Sequence, residues 1–455
     1  MTESPASLLA KCAHTICLRG FSPAEQESAA AILGSRGHRV VRSLGVAQFV
    51  VTGPDIEAAL LSGIRSRGIQ LASWEAVREE LSLATESAST PDPAVPISRQ
   101  PVLPMFGSED GKQRFLDLWL PSCAQTTAED LKLVPAASRF AGLCFDQPFV
   151  ETLHAVITGT THAMPVALEG ETAASKTTAI LYLAHRLGQA VVRLNLNGQT
   201  DAGELVGRYV PAEGGWAFHE GVLPVAMRRG HWLLLDEMNL AEPQVLERLN
   251  SALESPATLI LSEGPGTVFG RGGDVEPAAD FRLLATLNPA EYSGRSLLSP
   301  AFRNRWLIWH QAQIPSEADS LAMLRALIFG TQPVVHWRGR AYQADPIDPL
   351  FPTLAAAEEI ETLLPHLAHF HTTVGKAADP QGSSPGLGRH RRERDSFTRR
   401  NLLATLQLWQ SQLTSGPTSA REALANAVER IYTGRYPDAA DRKAIHSHAR
   451  AAGLA

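Results

Sequence analysis

The stretch MPVALEGETAASKTTAILYLAH, residues 164–185, decides how this chain is read. Its opening, Pro165 to Leu168, is apolar and short, as a buried strand would be. GETAASKT follows, and then AILYLAH, which reads as a helix. A strand, a tight loop and a helix start in that order turn several backbone N–H groups toward one point, where they can hold phosphate oxygens. Gly170, Lys176 and Thr177 occupy the first, seventh and eighth positions of GxxxxGK[ST]. In such a loop the backbone from Gly170 through Glu171, Thr172, Ala173, Ala174 and Ser175 to Thr178 wraps the phosphates of ATP. The Lys176 ammonium neutralises β/γ oxygens, and the Thr177 hydroxyl binds Mg²⁺. Two positions depart from the pattern: Ser175 stands where a glycine precedes the lysine, and Ala173 replaces another. If the loop needs φ > 0 there, a side chain costs on the order of 1 kcal/mol.

Four later segments fit the same chemistry. HWLLLDEMNL (231–240) is an apolar strand ending in Asp236 and Glu237. Asp236 would complete the Mg²⁺ shell, and Glu237 would polarise the attacking water. FRLLATLNP (281–289) is a second buried strand, ending in Asn288, a polar residue placed to orient that water. LSPAFRNRW (298–306) supplies Arg303 and Arg305, candidates for an arginine finger on a neighbouring subunit's γ-phosphate. SFTRRNLL (396–403) starts a helix with an arginine pair, of which Arg400 is the expected nucleotide sensor. Each segment alone is common in purely structural roles. The five in this order are not.

With these motifs the chain resembles the AAA+ ATPases, and within them the dynein-related/MoxR group that includes midasin. LNLNGQTDAGELVGRYVP (194–211), GGWAFHEGVL (214–223) and ATLNPAEYSGRSLLSPAFRNRW (285–306) carry the likeness, which is close from about 150 to 312 and looser beyond. The resemblance implies a hexameric ring with ATP and Mg²⁺ between subunits. It implies loops that line a pore, and a client protein, often of von Willebrand A type. GELVGRYVPAEGGWAFHEG and LILSEGPGTVFGRGGDVEPAADFR fit the helix-2 insert and the pre-sensor hairpin of that group.

Residues 14–81 alternate strand and helix signals, four strands to three helices. Ser22 and Glu25 form a capping box for the first helix. The order resembles a BRCT domain, with Gly37, Gly68-Ile69 and Trp74 at matching places. A phosphopeptide pocket of that family needs a hydroxyl on the first strand and a lysine in the second helix. Here Arg19 and Leu60 stand there, so the module reads as a protein–protein adaptor. SLATESASTPDPAVPISRQ (82–100) lacks a hydrophobic period and reads as a linker.

The 455 residues carry 41 Lys and Arg against 47 Asp and Glu, a net charge of −6, which excludes a polybasic nucleic-acid binder. A local basic stretch, PQGSSPGLGRHRRERDSFTRR (380–400), reads first as a solvated loop. Cys12, Cys17, Cys123 and Cys144 have no zinc spacing and are too few for a disulfide scaffold, which suggests buried thiols in a reducing compartment. No membrane span or secretory leader is expected, and the expected location is cytoplasmic.

The sequence therefore predicts an α/β protein: a P-loop core with a parallel sheet and a C-terminal helical lid, preceded by a small α/β module. The expected divisions are 1–85 (BRCT-like), 86–145 (linker and an unassigned stretch), 146–312 (nucleotide-binding core) and 313–455 (lid). The function read from it is ATP-driven remodelling of a partner protein. Two other classes fit the same residues. One is a nucleic-acid-directed motor, of clamp-loader or restriction type; the other is a scaffold that binds nucleotide and hydrolyses little because of Ser175.

Overall fold

The computed structural model describes residues 15–19, 21, 25–26, 29, 33, 39–41, 49–52 and 70–77 of the N-terminal part. It then describes 101–110, 112–121, 127–289, 297–357, 359–378, 386–388, 396–415 and 419–454. The chain divides into two compact units, Met1–Arg99 and Gln100–Ala455. Among the described residues, no helix is long and apolar enough to cross a membrane.

In the first unit, β1 (Thr15–Arg19), β2 (Arg39–Val41), β3 (Phe49–Thr52) and β4 (Gln70–Ser73) form a parallel sheet in the order β2-β1-β3-β4. Ile16, Leu18, Phe49, Val51 and Ala72 alternate onto one face, where they meet Ala29, Leu33 and Val77. Trp74 follows β4 and meets Phe21 edge-on at 6.0 Å. The expectations on Ser22, Gly37, Leu60, Gly68, Ile69 and the 82–100 linker lie outside the described residues, as do those on Cys12, Cys123 and most of the basic stretch.

The second unit opens with strands inside the 86–145 stretch whose fold was unassigned. These are β5 (Leu103–Pro104), β6 (Phe106–Glu109), β7 (Lys112–Phe115) and β8 (Leu118–Trp119). β6, β7 and β8 form an antiparallel meander, whose second turn falls within RFLDLWL (114–120). Asp110 and Leu116 take positive φ at the turns; the sequence announces the first with Asp110-Gly111, but Leu116 has no glycine beside it. Asp146 then caps α1 (Gln147–Thr161), accepting from the Phe149 amide at 3.0 Å.

The central sheet comprises β9 (Val166–Glu169), β10 (Val191–Asn195), β13 (Trp232–Asp236), β16 (Arg282–Leu287) and β17 (Ile308–Gln311). All are parallel, in the order β10-β13-β16-β9-β17. β13, WLLLD, is buried at every residue, as a strand covered on both faces must be. α2 (Lys176–Leu187) follows β9 and packs with α1 on one face. Between β10 and β13 lie the hairpin β11 (Gly207–Ala212)/β12 (Gly215–Glu220) and helix α3 (Val222–Arg229). A short hairpin, β14 (Leu259–Ile260)/β15 (Val268–Phe269), precedes β16, and α4 (Pro300–Arg303) precedes β17.

Past residue 312 the structure departs from a purely helical lid. After α5 (Glu317–Phe329) the chain forms a hairpin, β18 (Val334–Trp337)/β19 (Arg340–Gln343). β19 pairs with β5, Tyr342 opposite Leu103. Val335 and Tyr342 are buried with Phe115, Phe149 and Val156, so this hairpin belongs to the core that holds α1. The cause lies in VVHWRGRAYQ: apolar residues alternate about Arg338-Gly339, both at positive φ, a tight hairpin turn. The helical remainder is α6 (Ile360–Ala378), α7 (Arg399–Ser415), α8 (Ala420–Ile431) and α9 (Ala439–Ala451), which share a separate apolar core with α5.

Candidate active site

The sheet order brings the ends of β9, β13 and β16 together, although they lie far apart in sequence. At the end of β9 the chain must turn at once. Gly170 does so at φ 154°, where a Cβ would stand 2.6 Å from the Ala312 carbonyl oxygen, so only glycine fits. The loop then reaches α2 through Ala173 at φ 63° and Ser175 at φ 59°. Both positions flagged in the sequence are left-handed, and neither is glycine. Thr178 lies in the first turn of α2, behind Lys176 and Thr177.

Lys176 is buried, at 6% exposure, and its Nζ is fully engaged. It donates to the Gly170 carbonyl at 2.6 Å, to the Glu171 carbonyl at 2.7 Å and to Asn288 Oδ1 at 2.9 Å. These acceptors are what phosphate oxygens must replace. The Asn288 amide donates in turn to both Glu237 oxygens, at 2.9 and 3.0 Å. Asn288 therefore bridges the P-loop lysine and the Glu237 carboxylate. Asn239 fixes Asn288 from behind, donating to its carbonyl at 2.7 Å. Glu237 leaves β13 at φ 57°, a left-handed conformation that swings its side chain toward β16.

Asp236 is 5% exposed. Its Oδ1 accepts from Thr177 Oγ1 at 3.1 Å and from Thr286 Oγ1, and its Oδ2 accepts from Arg193. A hydroxyl and a carboxylate oxygen side by side form the hard donor set that Mg²⁺ prefers. Among the described residues no cluster of three His, Cys, Asp or Glu side chains forms a metal site. A cation here would draw its remaining ligands from phosphate and water.

The arginines expected from sequence fall in different places. Arg303, half exposed, stacks on Trp309 at 4.3 Å and lies 3.3 Å from Glu169 Oε2, at the end of β9. Arg305 donates to the Ala301 carbonyl at 2.9 Å and approaches Glu254 at 3.9 Å. Arg400 is exposed, and its neighbour Arg399 is among the residues lining the cleft beside the P-loop. Arg399 is buried against Asp146, with 14% and 1% of the two side chains exposed. Consecutive residues on α7 point about 100° apart, so the two arginines meet different surroundings.

Arg399 also lines a cleft of about 430 Å³ between the P-loop residues 171–174 and the lid, closed by Pro315, His371, Gly375 and Phe397. His371 is buried, with Nδ1 2.8 Å from the Tyr432 hydroxyl, and burial pushes its pKa down to about 4. Burial also raises the Asp146 carboxyl, against the pull of Arg399. Cys144 and Cys17 are buried, and burial raises the pKa of each thiol. Sequence reasoning missed Arg193, Asn239, Thr286, Asp146, His371 and Arg399. Thr286 and Asn239 lay inside quoted motifs, where a polar residue in or after an apolar strand was the available signal.

Residues 165–306 match the family model described as "AAA domain (dynein-related subfamily)". Midasin from Dictyostelium discoideum is 41% identical over 155 residues, 34% of this chain and 2% of that protein. Protein NorQ from Paracoccus denitrificans (strain Pd 1222) is 28% identical over 144 residues, 32% of this chain and 51% of that one. The aerobic cobaltochelatase subunit CobS from a Sinorhizobium species is 30% identical over 169 residues, 35% of this chain and 49% of that one. The chain thus spans a small fraction of midasin and about half the length of the other two. Residues 165–306 of this chain are an AAA domain of the dynein-related subfamily.

Proposed function

We propose that this chain binds ATP with Mg²⁺ in the cleft between P-loop and lid, and hydrolyses it to drive the remodelling of a partner protein. The Asn288 bridge carries the reading: one side chain joins Lys176, at 2.9 Å, to the Glu237 carboxylate, at 2.9 and 3.0 Å. Lys176 and the loop amides hold the phosphates, and Phe397 and Pro315 offer apolar walls for the base. Thr177 and Asp236 hold the cation, which when bound neutralises charge on the β- and γ-phosphates. Glu237 accepts the proton of the attacking water, and Asn288 keeps the carboxylate aimed. The relative named as a chelatase subunit supports action through another protein.

We read the assembly as a ring, hexameric in this group, in which Arg303 or Arg305 reaches a neighbour's γ-phosphate. The exposure of Arg303, just before the edge strand β17, supports this. The exposed Tyr209 and Trp216 of the β11–β12 hairpin support a client-facing role for that insert, with 50% and 71% of each residue accessible. The four-strand parallel sheet of the first unit supports a BRCT-like adaptor that recruits the client, for which a von Willebrand A-type protein remains the candidate.

The test is Glu237→Gln. It should keep Mg²⁺-dependent ATP binding and lose turnover on the order of 10²-fold or more, as a positioned base predicts. Turnover at the wild-type rate would show that Glu237 is not the base.

A further inference from the structure

We propose that Arg193 is a positioning residue that competes with Mg²⁺ for Asp236, so that the cation must displace a guanidinium to complete its shell. The inference rests on the nucleotide reading above and assigns a new residue within that site.

Arg193 lies on β10, the edge strand beside β13. The register pairs Asn195 with Asp236, so Arg193 is two residues back on the same face, diagonal to the carboxylate. A side chain of arginine's length spans that gap. Its Nε donates to Asp236 Oδ2 at 2.8 Å, and its Nη2 closes on the same oxygen. Oδ1 already accepts from Thr177 and Thr286. Both oxygens of a nearly buried carboxylate are therefore in use.

The two kinds of contact differ in what they allow. Thr177 can give its proton to Asp236 while its oxygen lone pairs face a cation, so that hydrogen bond and a metal are compatible. A guanidinium has no lone pair to offer. Its positive charge on Oδ2 would stand within a few ångströms of a divalent cation, on a carboxylate only 7% exposed, where like charges repel more than they do in water. The guanidinium must leave Oδ2 as the cation's shell forms there. It has somewhere to go: 40% of the Arg193 side chain is exposed, at the sheet edge. The fraction of molecules in which Asp236 is released then scales the apparent affinity for Mg²⁺-nucleotide. Lysine would be a weaker competitor, because only the guanidinium fork places two donors on one oxygen.

The experiment measures binding of a fluorescent ADP analogue to the full chain, once with Mg²⁺ and once with EDTA, and takes the ratio of the two Kd values. Arg193→Gln should raise the benefit from Mg²⁺ on the order of tenfold, with the Kd in EDTA little changed. Arg193→Lys should raise it less. An unchanged or smaller Mg²⁺ benefit in Arg193→Gln overturns the proposal. So does weaker binding in both buffers, which would put Arg193 on the phosphates. If Arg193→Gln does not fold, Arg193→Lys decides by the same ratio. A wild-type chain that binds the analogue in neither buffer overturns the nucleotide reading itself, and this inference with it.

Discussion

The two walls of the cleft are built on different principles. On the core side, Lys176, Asp236, Glu237 and Asn288 sit at or just past the ends of parallel strands or at a helix start, where backbone geometry fixes them to within a rotamer. Lys176, Asn288 and Glu237 are joined to one another, Asp236 is held by Thr177, Thr286 and Arg193, and the Lys176 contacts are the ones phosphate must replace. On the lid side, His371 and Arg399 stand on helices that pack through a shared apolar core. Their partners, Tyr432 and Asp146, belong to no phosphate motif. The core wall is a set of charges held ready to rearrange. The lid wall is a set of polar groups whose removal acts on the fold.

The sharpest way to break that contrast is at Arg399. Its guanidinium neutralises Asp146, which is 1% exposed and caps α1. Arg399→Ala leaves a buried carboxylate without its cation, and losing one partner of such a pair costs about 3–5 kcal/mol. Arg400→Ala, on the exposed side of the same helix, should stay within about 0.5 kcal/mol of wild type. Denaturant titration of both variants measures the difference. Equal losses would mean that the lid holds the core through something other than the Arg399–Asp146 pair.

His371 probes the lid wall by pH. Its pKa is held down near 4 by burial, against 6.5 for a free histidine. A depressed histidine is neutral in the fold and takes up a proton more readily once unfolded. Its contribution to stability is therefore complete above pH 6.5 and is lost progressively as pH falls toward 4. The whole loss is about 3 kcal/mol. His371→Gln, which keeps a polar partner for Tyr432, should melt less steeply with acidification than wild type over that range. Parallel curves would show that His371 is not the titrating group.

The same contrast explains what the sequence let one read. The core site was legible because strand-end motifs tie residue type to position: GETAASKT, LLLDE and ATLN each name a backbone location as well as a chemistry. Arg193 was not legible, since its meaning depends on which strand β10 pairs with and in what register. Arg399 and Arg400 are indistinguishable as letters and separate only when α7 is placed against α1. The β18–β19 hairpin was legible in principle, from Arg338-Gly339 between alternating apolar residues, but the expectation of a helical lid masked it. Of the turns between 103 and 119, the first carried a signal in Asp110-Gly111, whereas Leu116 turns with neither glycine nor proline beside it, which hid the second.

The smallest expected effect tests how the P-loop bears its departures from pattern. Ser175 and Ala173 hold φ of 59° and 63°, in the left-handed region, where a Cβ crowds the following carbonyl. Relief of that crowding by Ser175→Gly is worth about 1–2 kcal/mol. Glycine gives back about 0.4–1 kcal/mol through the greater freedom of the unfolded chain. The net gain should be on the order of 1 kcal/mol, seen as a small rise in melting temperature, and Ala173→Gly should behave alike. Gly188, at φ 66° with open space around its Cβ position, supplies the inverse control: Gly188→Ala should destabilise by a similar amount. If Ser175→Gly lowers the melting temperature while Gly188→Ala behaves as expected, the serine side chain contributes more than its backbone costs. The loop would then be adapted to serine rather than merely tolerating it.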